Sequence, residues 1–159
     1  MLIDRSIRLT SPVHWLAFGL GSGLMKKAPG TWGTLAAMPF VPLLLWLPPA
    51  WHLALVILAF WFGVFICQRT TEHLGVHDHG GIVWDEWVGV WLTLWLAPFT
   101  WWALLLGFAL FRLFDILKPW PIRWLDKRVK GGFGIMVDDL LAAIFAWLVL
   151  QMIIRWWPW

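Results

Sequence analysis

Three long stretches of this chain contain no Asp, Glu, Lys or Arg: Pro29 to Gln68, Trp87 to Phe111, and Leu140 to Ile154. A soluble domain normally places a charge at about one residue in four, so such runs have little to hold them at a water interface. A bilayer tolerates them, provided the backbone satisfies its own hydrogen bonds, which in an apolar run means helices. Composition agrees: 61% of the 159 residues are hydrophobic, 13% are charged, and there are 17 Trp and no Tyr. One small core could not hide that much apolar surface. Disorder and fibrous repeats are excluded as well, because the chain is neither polar nor periodic. The expected fold class is all-α: one membrane-embedded domain over 1–159, a multihelical integral membrane bundle of about five apolar helices plus a short interfacial helix.

Prolines punctuate the runs. Leu47-Pro48-Pro49-Ala50 divides the first into spans near Thr34–Leu47 and Trp51–Gln68, and Pro39 and Pro42 kink the first of these. Pro98-Phe99-Thr100 separates Val83–Ala97 from Trp101–Ile116, and a last span runs from Asp138 to about Trp156. Several fall below the ~20 residues that a bilayer crossing normally takes. Near the N-terminus, Arg5 and Arg8 precede Val13 to Leu20 and Gly21-Ser22-Gly23. That loosely imitates a secretory signal, but His14 interrupts the apolar run and no A-x-A-like site follows. A short interfacial or re-entrant segment is expected there.

Alternating helices would put the uncharged turns at 48–50 and 98–100 on one membrane face. The other face then receives Arg5, Arg8, Lys26, Lys27, Arg69, Arg112, Lys118, Arg123, Lys127, Arg128 and Lys130, leaving Arg155 alone on the far side. The basic face is cytoplasmic by the positive-inside rule. The formal net charge of +3 is accounted for in this way, and no nucleic-acid partner is expected. All the acids fall on the basic face too, although acids contribute little to orientation. Trp46, Trp51, Trp101, Trp102 and the Trp156-Trp157-Pro158-Trp159 tail lie near far-side span ends, as an interfacial belt would. Cys67, in an apolar run, reads as a packed thiol.

Four polar stretches meet on the cytoplasmic face. Lys26-Lys27-Ala28-Pro29-Gly30-Thr31-Trp32-Gly33-Thr34 leads into a helix. It is either a phosphate cradle of free N–H groups, with Gly30 and Thr31 at its centre, or a plain entry loop with a Thr cap. His77-Asp78-His79-Gly80-Gly81 leads into Asp85-Glu86, acids that a helix dipole favours in its first turn. Glu86, Gly89 and Thr93 share a small, polar face of the kind that packs inward, with Asp85 about 100° away. Arg112, Asp115 and Lys118 follow at i+3 spacing where a helix leaves the membrane; a local ion pair is the plainest reading. Pro121 to Lys130, carrying Arg123 and Lys127, reads as an interfacial helix attracted to anionic headgroups. Last, Gly131-Gly132-Phe133-Gly134 precedes Asp138-Asp139. Asp139 is in register with Ala142, Ala143 and Ala146 and so faces inward, while Asp138 reaches toward the rim.

Glu86, Asp115 and Asp139 thus come from three helices at one membrane depth. Carboxylates crowded there repel one another unless a hard cation joins them. Mg²⁺ takes carboxylate and phosphate oxygens and usually keeps several waters. Arg112, Lys118 and Arg123 add positive charge for a phosphate. The combination points to phosphoryl chemistry on a lipid.

At these same stretches the chain resembles the phosphatidylglycerophosphatase A family. The matching residues are Ala28-Pro29-Gly30-Thr31-x-Gly33-Thr34, Gly75-Val76-His77-Asp78-His79-Gly80, Ile82-Val83-Trp84-Asp85-Glu86, Phe111-Arg112-x-Phe114-Asp115-x-x-Lys118-Pro119-Trp120-Pro121-Ile122-Arg123-Trp124 and Gly131-Gly132-x-Gly134-Ile135-Met136-x-Asp138-Asp139. The match runs from about Trp15 to Ala146, and Thr34 stands where a serine is often found. The resemblance implies a multihelical bacterial inner-membrane enzyme with its active site on the cytoplasmic face. It would remove the terminal phosphate of phosphatidylglycerophosphate with Mg²⁺ as cofactor, the bilayer and that phospholipid being its partners. The family's acidic motifs carry over to Asp85, Glu86, Asp115, Asp138 and Asp139. On this reading Glu86, Asp115 and Asp139 hold the metal, with Asp85 and Asp138 beside them. Gly30, Thr31, Arg112, Lys118 and Arg123 bind phosphate, Arg112 and Lys118 stabilise transferring charge, and Asp78 or His79 carries a proton. The motifs contain no Cys to serve as a nucleophile. A phosphatase of another lipid phosphate, such as a polyprenyl phosphate, and a small transporter are the alternatives. A transporter normally keeps its polar groups near the midplane rather than at one end of its helices.

Overall fold

The computed structural model describes residues 11–76 and 79–156, and all regular structure among them is helical. Helix α1 (Pro12–Ala17) runs into a tight 3-10 segment, Gly19–Leu24, with left-handed backbone at Leu20 and Gly21. Val83 N–H donates to Ala17 O at 2.9 Å and ties this entry to the later chain. It is short, as expected of an interfacial or re-entrant piece.

Ala28 adopts a left-handed conformation (φ 48°) and Pro29 opens α2, Pro29–Ala37. Proline suits a first turn because its missing N–H has no partner there anyway. Pro39 and Pro42 then break the path into a 3-10 turn, Met38–Phe40, and α3, Val41–Leu45. Pro49 starts α4 (Pro49–Leu74), which runs 26 residues to a left-handed Gly75. Helix α5 (Trp84–Thr93) has only 10 residues, and α6 (Trp101–Leu117) has 17. Lys118, in the left-handed region at φ 43°, ends α6, and the short α7 (Ile122–Arg128) follows. Helix α8 (Gly131–Trp156) is again 26 residues long.

The expectation of about five apolar spans is corrected here. Among the described residues two helices, α4 and α8, are long and apolar enough to cross a membrane. At 1.5 Å per residue, α5 reaches only about 15 Å and α6 about 25 Å, short of a ~30 Å hydrocarbon core. The prolines at 39, 42 and 98 cap how far each apolar run can continue as one helix, so apolar length in sequence overstates helical length. The region Pro121–Lys130 does hold a short helix, α7.

Helix α8 is the hub against which α4, α5, α6 and α7 pack. Its Ala142, Ala143 and Ala146 stripe is fully buried, and small side chains let the neighbouring backbones come close. Tryptophan plays two parts. Trp46, Trp51, Trp101 and Trp156 are strongly exposed near helix ends, while Trp84 and Trp87 of α5 stack on each other and Trp91 meets both edge-on. Their indoles also tether elements: Trp84 Nε1 donates to Ala59 O and Trp91 Nε1 to Ala37 O. Cys67 is buried and free.

Candidate active site

The site lies where α2, α5, α6 and α8 converge. Helix α5 starts at Trp84, which places Asp85 and Glu86 in its first turn, favoured by the dipole. Its periodicity then turns Glu86, Gly89 and Thr93 inward, and all three are buried. From α6, Asp115 sits three residues beyond Arg112. From α8, Asp139 is buried on the alanine-lined face.

Glu86, Asp115 and Asp139 offer carboxylate oxygens that all lie within 4.8 Å of one another. Arg112 bridges two of them, with Nη1 3.2 Å from Glu86 Oε1 and 2.6 Å from Asp115 Oδ2. Three carboxylates against one guanidinium leave formal negative charge in a poorly hydrated place. Burial pushes the Glu86 carboxyl up to about 8; Arg112 pulls it down, and the Asp115 charge pushes it up. Asp85 is raised by burial first and then by the charges of Glu86, Asp138 and Asp115. The decisive detail is what stays unpaired. Glu86 Oε2, Asp139 Oδ2 and the Arg112 Nε–H are buried without a hydrogen-bond partner. Such groups are costly unless something occupies them. Two orphaned carboxylate oxygens in a converging triad fit a hard cation, and the orphaned guanidinium N–H beside them fits an anionic oxygen.

Helix α2 closes this corner through absent side chains. A Cβ at Gly30 would overlap Glu86 Oε1 and touch Arg112 Nη2, and one at Gly33 would meet Glu86 Oε2 at 2.5 Å. Both glycines therefore let α2 lie directly on the Glu86 carboxylate. Gly30 and Thr31 occupy the first turn of α2, where N–H groups lack intrahelical partners. Thr34 is not a cap, since its hydroxyl donates back to Gly30 O at 2.9 Å.

Other expected residues are placed elsewhere. Lys118 Nζ lies 2.6 Å from Asp138 Oδ2 and 2.9 Å from Asp126 Oδ1, away from the triad. Burial works against its charge, but the hydrogen bonds and charges of Asp138 and Asp126 together more than offset this and hold its pKa above the ordinary lysine range. Asp138, expected at the rim, is instead buried against Lys118. The reason is that α8 begins at Gly131, so Asp138 and Asp139 sit two turns inside the helix rather than at its start. The same extension puts Gly131 to Gly134 in the first turn of α8, where Gly132 N–H donates to Gln68 Oε1 at 2.6 Å. Arg123 donates to Leu117 O at 3.2 Å. His79 accepts the Gly81 N–H on Nδ1 and lies edge-on to Phe18, contacts that do not reach the triad. Asp78 falls outside the described residues. Two contributors escaped the sequence reading: Asp126, whose lone position in a basic run hid its role, and Gly33, whose place one turn after Gly30 was the available signal.

Comparison with known proteins bears on the same chain segment. The family model for phosphatidylglycerophosphatase A matches residues 15–154. A protein named Phosphatidylglycerophosphatase A from Haemophilus influenzae (strain ATCC 51907 / DSM 11121 / KW20 / Rd) is 51% identical over 154 residues, covering 96% of this chain and 94% of that protein. One of the same name from Escherichia coli (strain K12) is 46% identical over 153 residues, covering 96% of this chain and 89% of that protein. No solved structure matches. The acidic and glycine motifs that build the triad lie inside the matched segment, and the chain belongs to the phosphatidylglycerophosphatase A family.

Proposed function

We propose that this chain is a phosphoric monoester hydrolase that removes the terminal phosphate of phosphatidylglycerophosphate, leaving phosphatidylglycerol, with Mg²⁺ as its cofactor. The observation that carries the reading is the triad: three carboxylates from three helices within 4.8 Å, two of their oxygens orphaned, beside a buried arginine. Glu86, Asp115 and Asp139 would hold the cation, with Asp85 at the edge of the group. When bound, Mg²⁺ supplies Lewis-acid polarisation of the phosphoryl group and an activated water.

The chain's own residues account for the remaining requirements. Arg112, already fixed by Glu86 and Asp115, presents its unused Nε–H to a phosphate oxygen and stabilises charge that grows during transfer. The first turn of α2 brings the Gly30 and Thr31 N–H groups and the positive end of a helix dipole to the same corner. Asp138 is held by Lys118, so this lysine acts on the site by positioning rather than by touching phosphate. Arg123 is likewise left out of the reacting group. Asp78 or His79 would carry the proton to the departing alkoxide.

Helices α4 and α8 support a membrane-embedded chain; Asp139 stands toward one end of α8 and Arg155 at the other, and the positive-inside rule makes the triad's end the cytoplasmic one in this reading. A site at headgroup depth suits a lipid whose phosphate projects from the bilayer. The test is phosphate release from phosphatidylglycerophosphate in detergent, with and without Mg²⁺, for wild type, Glu86→Gln and Asp139→Asn. Near-normal turnover in both variants would sink the metal assignment. A panel including a polyprenyl phosphate decides substrate breadth, and liposome flux without phosphate release would favour a transporter.

A further inference from the structure

We propose that α7 and the end of α6 form a docking site for one anionic phospholipid that is not the substrate. A cavity of about 380 Å³ is lined by Lys118, Pro119, Trp120, Arg123, Trp124 and Lys127. Arg123 and Lys127 stand four residues apart on α7, as do Trp120 and Trp124 across its start, so cations and indoles each form a row. Asp126, the one acid of this segment, is turned to Lys118 and adds little negative charge to the opening. Arg128 lies over the Trp124 ring at 4.6 Å and adds another cation at the rim.

The cavity does not stand alone. The last turns of α6 expose Leu113, Ile116 and Leu117, at 48%, 67% and 57%. This apolar strip meets the cationic opening directly, because Arg123 donates to the Leu117 carbonyl. Trp120, 81% exposed, marks the junction between the two. Charge at one end, an indole at the boundary and bare aliphatic surface below is the profile of a phospholipid: phosphate, glycerol region, acyl chain. An acidic soluble protein would leave the leucines uncovered, and free phosphate would leave both them and Trp120 so. Among the described residues of this face only Lys118 pairs with an acid of the active-site region, and the substitutions below leave it unchanged, so lipid retention is read apart from the proposed reaction.

The experiment is native mass spectrometry of the full chain in non-ionic detergent, titrated with phosphatidylserine or phosphatidylcholine of identical acyl chains. Wild type should retain one phosphatidylserine in clear preference to phosphatidylcholine. Arg123→Gln/Lys127→Gln should lower phosphatidylserine affinity about thirtyfold, and Lys127→Gln alone about fivefold. Arg155→Gln, at the other end of α8, should keep wild-type affinity. Unchanged thermal melting of the double variant separates lost binding from lost folding. The proposal is overturned if the double variant keeps wild-type preference, if equimolar inorganic phosphate displaces the lipid, or if the substitutions abolish self-association rather than lipid retention. Because the readout is retention of a lipid bearing no phosphate monoester, it fails or succeeds independently of phosphate release.

Discussion

Two neighbouring charge clusters in this molecule share a plan and differ in outcome. In one, Arg112 bridges Glu86 and Asp115; in the other, Lys118 bridges Asp126 and Asp138. Each is a single cation between two carboxylates, and each joins different parts of the chain. The Arg112 cluster has a third carboxylate, Asp139, and keeps orphaned oxygens on Glu86 and Asp139 together with an orphaned Arg112 Nε–H. In the Lys118 cluster the orphan is Asp138 Oδ1 alone, and the Lys118 and Asp126 side chains stay 26% and 35% exposed. Water reaches Lys118 and Asp126 in the second cluster, which leaves one buried orphan atom there against three in the first. Buried carboxylates are stable only when something answers their charge. The difference therefore teaches which cluster is built to take a ligand and which is built to hold helices in place.

The comparison is sharpest at a single isosteric substitution that removes one carboxylate from each cluster. Asp139→Asn should lower phosphate release by at least about a hundredfold, whereas Asp126→Asn should change it by less than about threefold. Equal losses in initial-rate assays would erase the distinction. A steric test comes next. Gly30→Ala puts a methyl group onto Glu86 Oε1, and turnover should fall about tenfold or more. Gly80→Ala, where an added Cβ meets nothing within 4 Å, should leave it intact.

Stability separates the clusters by a smaller effect. Arg112→Leu leaves the triad uncompensated, with Glu86 and Asp139 buried, and should cost about 3–5 kcal/mol in denaturant unfolding without Mg²⁺. Lys118→Leu, on the more hydrated cluster, should cost about 1 kcal/mol. A further effect is in pH. The Glu86 carboxyl is held near 8 in the cation-free fold against an ordinary 4.5, so between those values the folded chain keeps a proton that the unfolded chain has lost. Its contribution to stability therefore falls as pH rises through that window. A bound cation should abolish this decline, and Mg²⁺ affinity should rise from pH 6 to pH 9 with proton release. Calorimetry in buffers of different ionisation enthalpy measures that release.

Much of the site is legible in the sequence because helices have a fixed period. Glu86 with Gly89 and Thr93, and Asp139 with its alanines, declare their inward faces without any coordinates. Asp115 joins them because it ends the one remaining run. Asp138 was harder: adjacency to Asp139 says that it points about 100° away, but whether that direction is rim or interior depends on where α8 begins. The two added turns from Gly131 settle it. Lys118 shows a similar limit, since a basic residue near a phosphate motif reads as a phosphate ligand until a partner such as Asp126 is seen to claim it.

Local chemistry written in the chain, namely the uncharged runs, the proline breaks, the glycine pairs and the side of each helix that is small or polar, determined by itself that this protein is helical, apolar and acidic at one level. Those properties depend on near neighbours along the backbone, a few residues apart. Only the tertiary structure decided which oxygens remain unpaired, how many helices are long enough to cross a membrane, and which of two basic residues meets the triad. These follow from packing between segments far apart in sequence, where a shift of one helical turn exchanges a buried partner for an exposed one.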